Sequence, residues 1–144
     1  MKLKIDNDLM VEEFFEDTRL LGIVASIEQY RFCWYLNQIL NFDFRINNTI
    51  EIQLNKKTRK YFFPIYEYGE QSGTIKHYLY NNHDDGEYLL PELKHLDFLW
   101  LIKDDIMHDN EVNLLSNSIK SIPQVQLITE LTNQKIKNKQ HLIF

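Results

Sequence analysis

The segment Leu96–Lys103 constrains the fold most, because it is apolar on both faces of an extended chain. Alternate side chains of a strand point to opposite faces of its sheet. One face receives Phe98, Trp100 and Ile102, and the other receives Leu99 and Leu101. A strand with a solvated face would alternate apolar with polar residues, whereas a strand buried on both sides is continuously apolar. We therefore expect Leu96–Lys103 to be a central strand.

A strand and a helix precede this segment. Leu20–Ala25 is a short apolar run that is typical of a buried strand. Ser26 then offers a helix N-cap, with Gln29 three residues later in a capping-box arrangement. Apolar residues follow at three- and four-residue steps: Phe32, Cys33, Leu36, Ile39 and Leu40. The pattern predicts a helix over Ile27–Leu40 that ends at Asn41.

Short strands and turns fill residues 42–90. Tyr61–Tyr68 is aromatic and prone to β structure, but Pro64 cannot donate to a strand ladder and indicates an edge or a bulge. Asp85 and Gly86 form a pair that favours positive φ and marks a tight turn. We interpret this region as an antiparallel meander.

The last third of the chain has βαβ order. Asp109 or Asn110 is expected to cap a helix that Pro123 ends, and Val125–Leu131 returns as a strand. The strand residues expected to face the core are Val125, Leu127, Thr129 and Leu131.

Together these elements predict a single α+β domain over residues 1–144, with an antiparallel sheet and two main helices on one face. A helix near each end of a meander is typical of a split βαβ, ferredoxin-like arrangement or a related βα-meander-βαβ order. Residues 1–18 form a poorly determined N-terminal segment, in which we expect a short strand at Leu3–Ile5.

The composition is that of an ordinary globular protein, with 44% hydrophobic and 26% charged residues. We expect a cytoplasmic protein without a membrane partner, because no signal peptide is recognisable and no segment reaches the roughly 20 apolar residues that span a bilayer. Cys33 is the only cysteine, so an internal disulfide is excluded. The abundance of Ile, Asn and Lys indicates AT-rich coding, so we give little weight to runs such as Asn81-Asn82.

A short motif, Leu90-Pro91-Glu92-Leu93-Lys94-His95-Leu96-Asp97-Phe98, leads into the central strand. It resembles the signature of the IPExxxVDY family, a bacterial family of unknown function. Pro91, Glu92 and Asp97 match the signature literally, whereas its Ile, Val and Tyr are replaced by Leu90, Leu96 and Phe98. The resemblance further implies an aromatic–Arg pair and a tryptophan on the first helix, which Tyr30, Arg31 and Trp34 match.

The two acids of the motif, Glu92 and Asp97, allow two interpretations. They are a candidate paired-acid or metal site at the entry of the strand. Alternatively, Pro91 begins a turn, Glu92 favours the N-terminus of that turn, and Asp97 accepts backbone donors where the strand begins. We favour the structural interpretation, because paired acids alone are a weak sign of catalysis.

Arginine is scarce in this chain, which draws attention to Arg31 beside Tyr30 on the first helix. We expect Arg31 to pair with Glu92 or Asp97 and to fix the helix against the motif. The alternative is that its guanidinium holds a carboxylate or phosphate ligand. Tyr30, Arg31, Trp34, Glu92 and Asp97 are therefore the candidate binding residues.

No metal, cofactor or catalytic set is predicted. The five histidines are dispersed, and neither a zinc spacing nor a phosphate-binding glycine loop is present. The basic run Lys56–Lys60 beside Tyr61 and Phe63 is the one feature that suggests RNA. The net charge of −5 makes nucleic acid an unlikely partner.

Two hypotheses of different classes follow. The leading hypothesis is a non-enzymatic module that binds a protein partner or a second copy of itself, because an aromatic sheet and exposed strand edges are expected. The alternative is a small-ligand regulatory domain, with Arg31 binding an anion and Glu92 or Asp97 binding an amine. An enzyme and an RNA-binding protein rank below both.

Overall fold

The structure, a computed structural model, describes residues 2–56, 58–71, 73–132 and 136–144, with side chains from residue 8 onward. Its helices are α1 (Lys2–Phe14), α2 (Gln29–Leu40) and α3 (Asp109–Lys120). Its strands are β1 (Arg19–Ala25), β2 (Arg45–Lys56), β3 (Arg59–Gly69), β4 (Lys76–Asn81), β5 (His83–Asp84), β6 (Glu87–Tyr88), β7 (Phe98–Lys103) and β8 (Val125–Leu131). Two short 3₁₀ turns cover Pro91–Leu93 and Lys139–Leu142.

Six strands form one sheet in the order β2-β3-β4-β7-β1-β8, and every neighbouring pair is antiparallel. The apolar strand β7 lies between β4 and β1, which confirms its predicted central position. Residues 98–102 of this strand are all buried. The continuous apolar run therefore identified the strand that is covered on both sides.

The connections explain why the central strand is β7. The connection from β1 to β4 contains α2 and skips β7, which lies between these two strands. The connection from β7 to β8 contains α3 and skips β1. This is a pair of split βαβ units, with the β2–β3 hairpin inserted before β4 and added beyond it at the sheet edge. The predicted α+β class and ferredoxin-like order are confirmed.

Each face of the sheet has its own core. The face that receives Phe98, Trp100 and Ile102 is covered by α2 and α3, so the two predicted helices do lie on one face. The opposite face receives Leu99 and Leu101 and is covered by the end of α1, the motif and the C-terminal 3₁₀ turn. The side chains that supply this second cover include Phe15, Leu89, Leu90, Leu96 and Leu142.

The N-terminal segment and the start of α2 differ from their predictions. Segment Leu3–Ile5 lies within α1 rather than in a strand, so the short N-terminal strand was wrong. Helix α2 begins at Gln29, with Glu28 at the cap position instead of Ser26. The buried Gln29 amide donates to the carbonyl oxygens of Pro64 (3.3 Å) and Leu79 (3.0 Å). This amide links α2 to the sheet and is not part of a capping box.

Helix α3 is preceded by His108 at the cap position, where Asp109 or Asn110 was expected. The His108 backbone N–H donates to the Glu111 carboxylate at 3.3 Å, which satisfies a group that the helix leaves unpaired. At the other end of α2, Asn41 adopts a left-handed conformation with φ 57°, as predicted.

Two strands contain irregularities that decide which residues face inward. In β8 the pairing with β1 shifts between Val24 and Ala25, so Val125 and Leu127 fall on opposite faces of the sheet. Leu127 is 45% exposed and Thr129 is also exposed, so the predicted core positions of both residues were wrong. Pro64 of β3 pairs with Glu51, directly beside the register shift in β2. Because β3 lies between β2 and β4, the predicted bulge is confirmed and the predicted edge position is not.

Candidate functional site

The motif residues form a loop that begins with one 3₁₀ turn over Pro91–Leu93 and ends at the first residue of β7. Pro91 occupies the first position of this turn, where its fixed φ fits and its missing N–H costs nothing. The prediction that Pro91 starts a turn is therefore confirmed. Three polar side chains then determine how the loop is attached to the rest of the chain.

Asn82 is the anchor of the motif loop, and it is completely buried. Its side-chain amide donates to the carbonyl oxygens of Leu93 and Leu96, both at 2.9 Å, and its oxygen accepts the Leu90 N–H at 2.8 Å. Its backbone N–H donates to the Asp97 carbonyl oxygen at 3.0 Å. One side chain thus binds three loop backbone groups, of which the Leu93 carbonyl oxygen also accepts the Leu96 N–H at 3.0 Å. A buried backbone group left without any partner costs about 1–3 kcal/mol.

Glu92 binds a segment far along the chain. Its two carboxylate oxygens accept the backbone N–H of Asn138 at 2.7 Å and the Asn138 side-chain amide at 3.0 Å. Burial opposes ionisation of Glu92, but the hydrogen bonds from the Asn138 side chain and from backbone N–H groups outweigh it and lower its pKa. Glu92 therefore holds the residues that lead into the C-terminal 3₁₀ turn.

Asp97 completes the junction between the motif and β1. Its Oδ2 accepts the Ala25 N–H at 2.8 Å, and its own N–H donates to the Ile23 carbonyl oxygen at 2.8 Å. The expectation that Asp97 accepts a backbone donor at the start of the strand is confirmed. The two motif acids thus bind separate partners, Asn138 and Ala25.

Arg31 does not pair with either acid. Its side chain is exposed, and among the described residues it forms no ion pair. The expected internal ion pair was wrong because α2 turns Phe32, Cys33 and Leu36 toward the sheet, which places Arg31 on the opposite side of the helix.

The outer face of α2 gathers three candidate residues instead. Tyr30 and Trp34 are one turn apart and are 59% and 57% exposed, with the exposed Arg31 between them. The Trp34 ring packs edge-on against Tyr35, with centroids 5.1 Å apart. Arg31 is the only charged residue within α2. We call Tyr30, Arg31 and Trp34 the aromatic face.

A cleft of about 450 Å³ adjoins the aromatic face at the start of α2. Tyr30 and Asp97 both line it, together with Glu28, Asn81 and His83. Arg31 and Glu92 do not line it, so the predicted pairing of an anion-binding arginine with a motif acid is not assembled there. Asp97 and Tyr30 are the two candidate residues that the fold brings together in one concave surface.

His77 is another buried polar side chain whose hydrogen-bond partners are defined. Its Nδ1 accepts the indole N–H of Trp100 at 2.9 Å, which leaves the proton of the neutral ring on Nε2, 3.2 Å from a Glu70 carboxylate oxygen. Burial lowers the pKa of His77, although the neighbouring Glu70 acts in the opposite direction. Both ring nitrogens therefore have hydrogen-bond partners within the fold.

Other candidate chemistry is dispersed. Within the described part of the chain, no three His, Cys, Asp or Glu side chains are grouped as a metal site would require. Burial raises the pKa of the Cys33 thiol, which disfavours the reactive thiolate. In the basic run, Lys56 pairs with Glu87 at 2.9 Å and Arg59 pairs with Asp85, while Lys57 lies outside the described residues.

Asn82 and Asn138 are the site residues that sequence reasoning missed. The pair Asn81-Asn82 was discounted as a consequence of codon composition, yet Asn82 is central to the motif loop. The position of Asn82 in the sequence could have identified it, because it directly precedes the hairpin with the predicted turn. In that turn Asp85 has φ 48° and Gly86 has φ 86°. That hairpin returns the chain to the Leu89–Leu90 pair, where Asn82 binds it.

The comparisons with known proteins give no family. No protein-family model matches the chain, and no curated protein matches it. Among the described residues, no helix has the length and apolar character needed to cross a membrane. The resemblance to the IPExxxVDY family therefore stays a prediction based on Pro91, Glu92 and Asp97.

Proposed function

We propose that this protein is a non-enzymatic, cytoplasmic interaction module that binds a protein partner through the aromatic face. The observation on which this depends is the exposure of Tyr30 and Trp34 on a helix that buries Phe32 and Leu36 against the sheet. Trp, Tyr and Arg are the residues most enriched among those that dominate binding energy at protein interfaces. Tyr30, Arg31 and Trp34 supply one of each within a single helical turn and a half.

The chemistry of the aromatic face indicates the kind of partner. Full burial of one large apolar side chain contributes about 1.5–3 kcal/mol, so the two rings favour an apolar groove. Arg31 is the only charge on α2, and it favours a carboxylate at the rim of that groove. The internal hydrogen bonds of Glu92 and Asp97 support a structural role for the motif and leave catalysis without a proposed residue.

Nucleic acid is not the proposed partner. Lys56 and Arg59 are paired with acids of the β5–β6 hairpin, which reduces the positive potential of the basic run Lys56–Lys60. The net charge of −5 acts in the same direction.

The test compares three purified baits: the wild type, Trp34→Ala, and Leu114→Ala as a matched control. Leu114 is 66% exposed on α3, so its substitution removes an exposed apolar side chain outside the aromatic face. A protein captured from cytoplasmic extract is identified, purified and titrated against each bait by calorimetry. We expect saturable binding to the wild type and to Leu114→Ala, and a roughly 30-fold weaker affinity for Trp34→Ala.

Equal affinity for Trp34→Ala and the wild type would contradict the proposal, as would the absence of any saturable partner. A Glu28→Gln bait distinguishes the second candidate, in which the cleft binds an amine beside Asp97. The observation that favours this candidate is the presence of Tyr30, Glu28 and Asp97 around one concavity. A thermal shift with small amines that Glu28→Gln abolishes, while Trp34→Ala retains it, would replace the protein-binding proposal with that one.

A further inference from the structure

The six-stranded sheet ends in two strands, β2 and β8, and they differ in how they meet solvent. An edge strand presents a row of unpaired backbone N–H and C=O groups that another chain can extend. Natural edges are usually protected by charged side chains, proline, a bulge or a break in the strand. The presence or absence of these features indicates which edge is available to a partner.

Strand β2 has several of these features. Its pairing with β3 is interrupted between Ile46 and Glu51, so its outer edge is irregular over those residues. It contains the charged residues Arg45, Glu51 and Lys56. An incoming strand would meet the interrupted register between Ile46 and Glu51, and beyond it a regular stretch, residues 51–56, that carries a charge at each end.

Strand β8 has less of this protection in its regular part, Leu127–Leu131, which follows the register shift at residues 125–127. Five consecutive residues there pair with β1 without interruption, and they include neither proline nor a basic residue. The single charge, Glu130, is held by Arg19, whose Nε and Nη2 donate to its two carboxylate oxygens at 2.7 Å each. Leu127 is 45% exposed although it belongs to a strand.

We propose that β8 pairs antiparallel with β8 of a second copy of this chain. A two-fold axis through Thr129 sets Thr129 opposite its own copy and Leu127 opposite Leu131 of the second copy. Glu130 then faces Ile128 of the second copy, so the two acids do not lie opposite each other. The segment can therefore pair with its own copy without placing like charges opposite each other.

This pairing joins the two six-stranded sheets into one continuous sheet. A two-fold axis perpendicular to a sheet keeps equivalent faces on the same side, so α2 of both copies lies on one side of the joined sheet. Two aromatic faces would then be presented together, which raises the avidity for a partner that carries two grooves. The pairing itself does not depend on the proposed function.

Sedimentation velocity over a range of protein concentrations tests the proposal with the wild type, Leu127→Lys and Ile46→Lys. Ile46 is a matched control, because it is 47% exposed on the opposite edge of the sheet. We expect dimers for the wild type and Ile46→Lys, and monomers for Leu127→Lys, each with an unchanged circular dichroism spectrum. A monomeric wild type overturns the proposal, and so does a Leu127→Lys protein that remains dimeric.

A cysteine at the two-fold axis tests the register. Thr129→Cys is expected to give a disulfide-linked dimer under mild oxidation, whereas Ile46→Cys is expected to remain monomeric on a non-reducing gel. The native Cys33 is buried and provides the background in both proteins. Failure of Thr129→Cys to cross-link in a dimeric protein would overturn this register. Trp34→Ala should remain dimeric, so failure of the aromatic face and failure of the edge are separable.

Discussion

The motif loop and the aromatic face of α2 supply all five candidate binding residues, yet they differ in what their side chains contact. Glu92 and Asp97 in the loop bind backbone groups of distant segments. Tyr30, Arg31 and Trp34 on the helix are directed to solvent. A recognisable sequence motif can thus mark the residues that assemble a fold, while the side chains exposed to a partner lie on a neighbouring element.

The largest effect on stability is expected from removing the Asn82 side chain, which anchors the motif loop. Asn82→Ala deletes three side-chain hydrogen bonds and leaves backbone groups of Leu90, Leu93 and Leu96 buried without them. We expect a loss of about 3–4 kcal/mol in the free energy of unfolding, measured by urea denaturation. Asn81→Ala is the matched control and should cost less than about 0.5 kcal/mol. Equal losses from the two variants would show that Asn82 does not anchor the loop.

A smaller and pH-dependent effect is expected at Glu92. Its pKa is lowered in the folded protein, so its ionised carboxylate stabilises the fold at neutral pH. This contribution is lost as the pH falls from the ordinary value of 4.5 through the lower pKa of the folded state.

Glu92→Gln should therefore cost about 1–2 kcal/mol at pH 7 and progressively less below pH 4.5, because the wild type loses the same charge. Chemical denaturation of both proteins at a series of pH values measures the difference. A difference that stays constant down to strongly acidic pH would mean that Glu92 acts through packing and not through its charge.

The smallest effect on stability is expected on the aromatic face. Trp34→Ala removes a side chain that is 57% exposed, and we expect the free energy of unfolding to change by less than about 0.5 kcal/mol. Acrylamide quenching gives an independent measurement, because Trp100, the other tryptophan, is fully buried. The wild type should show a quenchable and a protected component, and Trp34→Ala only the protected one. A large loss of stability would place Trp34 within the core and end the contrast between the two regions.

The parts of the fold that were predictable are those that local pattern determines. The apolar run of β7 and the Asp85-Gly86 turn depend on residues that are close in sequence, and both were found. Phe32, Cys33 and Leu36 of the predicted α2 stripe face inward, whereas Ile39 is 49% exposed and its predicted place in the stripe was wrong.

The parts that failed depend on distant partners. The pairing of Arg31 with a motif acid was inferred from charge alone, but the rotation of α2 on the sheet decides what Arg31 meets. Glu92 binds Asn138, which no local pattern connects to it. The shift in β8 arises from its pairing with β1, so Leu127 could not be assigned to a face from the alternation of β8 itself.

The position of β1 in the sheet has a consequence for the order in which the chain folds. Its neighbours are β7 and β8, so Ile23 faces Phe98 and Ile128, both far along the chain. Strands β2, β3 and β4 pair with near neighbours in sequence and can close early, whereas contacts between distant residues form slowly. During synthesis the apolar strand β1 therefore has no strand partner until β7 has emerged from the ribosome. The first strand of the sheet in sequence is then among the last to pair.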